Sequence, residues 1–125
     1  MLATIRKLPV TLRAVVWVNL CGALLEATVA GVCYFQSLPR EALTHLADAV
    51  ATLLVVAGVL RRYGLIRVLC LVLSYAGVIV ESLSLLIALR ASSPLLAVYL
   101  VGLGFFIFMI WALSVPEAKA YFKTA

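Results

Sequence analysis

Apolar residues run almost without interruption through four stretches of this chain: Ala14 to Gln36, Ala42 to Leu60, Leu65 to Leu89 and Leu95 to Ser114. Each is close to the roughly 20 residues that a helix needs to cross the hydrocarbon core of a bilayer. The breaks between them carry turn chemistry. Ser37-Leu38-Pro39-Arg40 parts the first pair, and Pro39 disfavours helix in the residue before it. Arg61-Arg62-Tyr63-Gly64 parts the second pair, with Gly64 in the role of a C-cap. Ser92-Ser93-Pro94 parts the third, offering an N-cap serine and a first-turn proline. Links this short make neighbouring helices antiparallel. The pattern therefore predicts an all-α, four-transmembrane-helix up-down bundle, with residues 1–125 forming a single membrane domain. The first stretch is too long for the apolar core of a signal peptide and is expected to be a retained helix.

Polar and small residues are not scattered around these helices. In the first span Asn19, Gly22, Glu26, Ala30 and Cys33 recur at spacings of three and four. In the third, Cys70, Ser74, Gly77, Glu81, Ser84 and Ala88 do the same. In the second, His45, Asp48 and Thr52 share a face that Val55 and Val59 continue. Such positions lie on one side of a helix. Small residues there let membrane helices approach closely, and polar ones bond across the seam. Asn19, Gly22, Ser74, Gly77 and Ser84 thus form the expected packing stripe, and Glu26, Asp48 and Glu81 are expected to face other helices. In the fourth span Gly102 and Gly104 offer close-approach points among bulky Phe105, Phe106, Phe108 and Met109.

Composition agrees with lipid as the main solvent. Of 125 residues, 66% are hydrophobic and only 12% charged, about half the charge of an ordinary soluble domain. The basic residues fix an orientation. Arg6, Lys7, Arg13, Arg61, Arg62, Arg67, Lys119 and Lys123 fall on one side of the predicted membrane, and only Arg40 and Arg90 on the other. The side richer in Lys and Arg is cytoplasmic, so both termini are expected inside a cell membrane crossed several times. Residues 1–12 and 116–125 read as interfacial ends. The net charge of +5 is largely this basic collar, which anionic headgroups attract without any need for nucleic acid.

The three acids within spans carry the candidate chemistry, because an ionisable group in hydrocarbon is costly unless partnered. At 1.5 Å per residue, Glu26 and Glu81 fall at about one depth in the outer half of the bilayer, with Asp48 and the single histidine, His45, above them. No Lys or Arg sits at that depth. The carboxyls can hold protons, bond as neutral acids to Asn19, Thr52, Ser74 or Ser84, bind a cation, or meet a donor from another subunit. His45 is expected to bond Asp48 or headgroups. His45, Asp48, Glu26 and Glu81 could together ligate a divalent ion, but no ligand spacing is diagnostic, so no metal and no cofactor are expected. One histidine excludes bis-histidine haem within one chain. Cys21, Cys33 and Cys70 have no CxxC spacing and read as small packing residues. There is no phosphate loop, nucleophile elbow or His–Cys pair, so an enzyme is not expected.

The ending from Trp111 to Phe122, with Pro116-Glu117-Ala118-Lys119-Ala120-Tyr121-Phe122, resembles that of uncharacterised small four-helix prokaryotic integral membrane proteins. The resemblance implies prokaryotic origin and fold. Leu24-Leu25-Glu26-Ala27-Thr28 is similar to the glutamate-bearing first helix of the small multidrug resistance transporters, which implies a proton-coupled role for Glu26 alone. The leading expectation is an accessory or structural membrane subunit that packs against partner membrane proteins or copies of itself, as in electron-transport or energy-converting complexes. The alternative is a proton- or cation-coupled transporter or channel using the intramembrane carboxylates. A third reading is a quinone- or lipid-binding module built on Phe105, Phe106, Phe108 and Trp111.

Overall fold

A computed structural model of the chain describes residues 1–123. Thr124 and Ala125, the last two of the expected interfacial end, lie outside the described residues. Helix accounts for 87% of the structure and there is no strand among the described residues. In order, α1 spans Leu2–Arg6, α2 Val10–Phe35, α3 Pro39–Leu60, α4 Gly64–Arg90, α5 Leu96–Ser114 and α6 Pro116–Lys123. Helices α2 to α5 are each long and apolar enough to cross a membrane, with mean hydropathy from 1.7 to 2.4. They match the four predicted spans, α2 starting four residues earlier and α3 three residues earlier than the apolar runs themselves.

The chain divides into two compact units, Met1–Tyr63 and Gly64 onward. In the first, α2 and α3 pack along one another as a helical hairpin, with α1 against α2. Its buried positions on α2 are Leu12, Val15, Val16, Asn19, Ala23 and Ala30, and on α3 Ala49, Val56, Gly58 and Val59. Steps of three, four and seven place most of each set on one helix face, Gly58 lying off the face of Ala49 and Val56. Ile5 of α1 and Leu8 just after it are also buried. In the second unit α4 packs on α5, and α6 touches both. Ser74 and Ala88 of α4, Met109, Ala112 and Leu113 of α5, and Ala118 and Phe122 of α6 are buried there. Lipid tails are as apolar as leucine, so these seams are held by close packing rather than by removal of surface from water.

Helix ends follow one device used three times. Ser37, Arg62 and Ser92 take positive φ of 59°, 58° and 48°. In each case that residue's N–H donates to the carbonyl three residues back (Tyr34, Val59, Leu89), and the next residue's N–H reaches the carbonyl five back (Cys33, Gly58, Ala88). This is the paired bonding of a Schellman end, normally built on glycine. The expected C-cap Gly64 is thus displaced: it opens α4, and Arg62 adopts the left-handed conformation instead. The expected N-cap serine and first-turn proline both fall short of α5, whose N-cap is Leu95 with no side-chain cap bond; the Ser93 hydroxyl accepts from the Leu95 N–H at 3.2 Å in the turn before it.

Candidate functional site

The first hairpin gathers three of the four candidate polar residues. Glu26 continues the buried α2 face marked by Asn19, Ala23 and Ala30. Across the seam, His45 lies one turn before buried Ala49 on α3. Nδ1 of His45 stands 2.5 Å from Oε2 of Glu26, with the ring N–H donating to the carboxylate. The two side chains are 35% and 32% exposed, so the pair is neither sealed in nor fully free. Asp48 lies three residues after His45, and one ligand atom from each of Glu26, His45 and Asp48 falls within 4.8 Å of the others.

Several details differ from the sequence expectation. The partner of His45 is Glu26 across the seam rather than Asp48 on its own helix. The inward face of α3 runs through His45, Ala49, Val56 and Val59, which puts Asp48 at its edge and leaves it exposed. Three residues is 300° of helical turn, so His45 and Asp48 diverge by about 60°. The expected depths also placed His45 above Glu26; α3 begins at Pro39, three residues before its apolar run, which sets His45 about 4.5 Å deeper. Thr52 and Asn19 do not serve the carboxyls as expected. Their side chains donate to carbonyls four residues back, of Asp48 and Val15, at 2.8 Å each.

One turn from the Glu26–His45 pair, towards the connecting turn, the seam opens into a groove of about 380 Å³. Ala27, Ala30 and Gly31 of α2 and Ala42 of α3 form its floor, with Tyr34 and Leu46 among its walls. Small side chains on both helices leave this space unfilled.

Glu81 belongs to the second unit, on the α4 face turned to α5. A Cβ built on Gly102 would stand 3.0 Å from the Glu81 Cδ and Oε1. The carboxyl therefore lies directly on the α5 backbone, in space that only glycine leaves open. Its Oε2 is buried and accepts no hydrogen bond among the described residues. One turn earlier on α4, Gly77 is covered by the Phe106 ring, three of whose carbons would approach a Cβ there to 2.7 Å. Ser74 is buried and Ser84 half-buried on the same face. The α4 stripe is thus a packed seam, with glycines answering each other across it. Gly22 and Gly104 make no such approach, since a Cβ on either would meet nothing within 4 Å.

Two basic residues of the expected collar have structural tasks that sequence did not disclose. Arg67 Nε donates to the Leu113 carbonyl at 2.8 Å. That carbonyl lies in the last turn of α5, where helical acceptors lose their partners. Arg13 Nη2 donates to the Arg6 carbonyl at 2.8 Å and the Leu8 carbonyl at 3.3 Å, closing the end of α1. The only sequence hint was position, each arginine standing next to the start of an apolar run. Arg6 ends α1 and Lys7 follows it, Arg61 and Arg62 follow α3, and Lys119 and Lys123 lie on α6. The three cysteines are free thiols. Phe105–Phe106 and Phe108–Trp111 make ring contacts within α5. No protein-family model, curated protein or solved structure matches the chain.

Proposed function

We propose that this chain is a small multi-pass subunit of a cell membrane, with its four spans running up and down, both termini cytoplasmic, and its role to pack against partner membrane proteins or copies of itself. The observation that carries the reading is Glu81. A buried carboxyl oxygen with no donor among the described residues is costly in an apolar setting. A proton with a hydrogen-bond acceptor, or a donor from another chain, removes that cost. The residues also present no nucleophile with a supporting base, so a non-enzymatic role fits them. The orientation rests on the eight-to-two bias of basic residues. A prokaryotic energy-converting or electron-transport assembly is a suitable host. Purification in mild detergent tests the proposal: the expected result is an oligomer or a copurifying membrane protein, weakened by Glu81→Leu. A monodisperse monomer with no companion refutes it.

A second reading, proton- or cation-coupled transport, draws on the Glu26–His45–Asp48 group and on the likeness of Leu24 to Thr28 to the small multidrug resistance transporters. In proteoliposomes it requires Glu26→Gln to slow proton or cation flux. Flux unchanged by Glu26→Gln and Glu81→Gln removes it. The aromatic rings of α5 contact each other, and a quinone- or lipid-binding role for them has no further support.

A further inference from the structure

We propose that Glu26, His45 and Asp48 form a binding site for one divalent first-row transition cation, in the hairpin of α2 and α3. Three features of the hairpin point to it. First, the donors converge from two helices, with one ligand atom from each within 4.8 Å of the others. Zinc bonds nitrogen and oxygen at about 2.0–2.2 Å, which sets ligand atoms roughly 3.4 Å apart around a tetrahedral ion. Glu26 Oε2 and His45 Nδ1, now 2.5 Å apart, have to part by about 1 Å around such an ion. Asp48, which is exposed, has to close by at most about 1.4 Å.

Second, the charge fits. Two carboxylates and a neutral imidazole sum to minus two, and His45 is the partner that Glu26 meets across the seam. A divalent cation neutralises the group completely, in a span where an unbalanced charge is costly. Third, the seam does not close over the pair. The Glu26 and His45 side chains are 32% and 35% exposed, which leaves a way in for a fourth ligand, a water or a donor from a partner.

One nitrogen and two carboxylate oxygens suit several divalent metals, with zinc and cobalt among the tighter binders of such a set. The inference is independent of the packing role proposed above, because it concerns the isolated chain.

The test uses the full chain in detergent micelles, with Cys21, Cys33 and Cys70 changed to serine so that thiolates cannot compete. Zinc is measured by equilibrium dialysis with elemental analysis, and cobalt by its visible spectrum. The expected result is one zinc per chain and a cobalt spectrum without sulfur charge-transfer bands. Glu26→Gln and His45→Ala are each expected to weaken zinc binding at least tenfold, and Asp48→Asn several-fold. Circular dichroism reports whether each variant folds; where the first two do not, exposed Asp48→Asn decides alone. A folded parent chain that retains no stoichiometric zinc overturns the proposal. So does a folded Asp48→Asn or His45→Ala chain that binds zinc as the parent does.

Discussion

Replacing Gly77 by alanine tests the packing of the second hairpin directly. Carbon atoms in ordinary contact sit about 3.5–4.0 Å apart, whereas the Phe106 Cγ, Cδ2 and Cε2 would stand 2.7 Å from the new methyl group. The ring therefore has to retreat by about 0.8 Å or more. Because Cγ is among the crowded atoms, rotating the ring's far edge is not enough and the whole side chain must move. Overpacking of this kind costs about 1–3 kcal/mol. Alanine also gains on glycine in helix propensity by about 1 kcal/mol, which blurs the sign of the single change. Gly22→Ala supplies the reference, since it carries the same propensity gain into open space. The difference between the two variants should then be about 1–3 kcal/mol, with Gly77→Ala the less stable. Unfolding by sodium dodecyl sulfate in mild-detergent micelles, followed by circular dichroism, gives both values. A double-mutant cycle sharpens the test: in a Phe106→Ala background the penalty at Gly77 should largely vanish. Equal shifts for Gly77→Ala and Gly22→Ala would refute the claim that Phe106 seats on Gly77.

Arg67→Met removes the donor that serves the Leu113 carbonyl and should cost about 1.5–3 kcal/mol, the range for a bond from a charged group; Arg67→Lys should recover part of it. Unfolding identical to the parent would show that this carbonyl finds another donor. Ser37→Gly and Ser92→Gly relieve side chains held at positive φ and should each stabilise their own unit by about 0.5–1 kcal/mol; a loss of stability at either would contradict the Schellman assignment. Glu26→Gln converts a charge-assisted bond to a neutral one. With the pair about one-third exposed, the cost in stability should be 1 kcal/mol or less, so a larger loss would mean that the carboxylate holds more than His45.

The run lengths of apolar residues decided the element list. A helix satisfies its own backbone, which hydrocarbon demands, so four runs of bilayer length admit little else, and α2 to α5 follow them. Local chemistry was legible where it acts over a few residues, as in Pro116 opening α6 and Ser93 bonding ahead of α5. It misled at Gly64, because the C-cap conformation was set by where α3 ran out and fell on Arg62. The stripe on α4 was visible as a period, but a period does not say what fills the opposite side.

Tertiary structure alone decided the pairings. That His45 meets Glu26, that Asp48 stands at the edge of its face, that Phe106 covers Gly77 and Gly102 makes room for Glu81, all depend on the rotation of one helix against its neighbour. A helical period leaves that angle open by tens of degrees, and a few tens of degrees separate a contact from an exposed side chain. The two working arginines follow the same rule. Sequence placed Arg67 and Arg13 near a boundary rich in positive charge, but which carbonyl each one reaches depended on where a different segment ends in space.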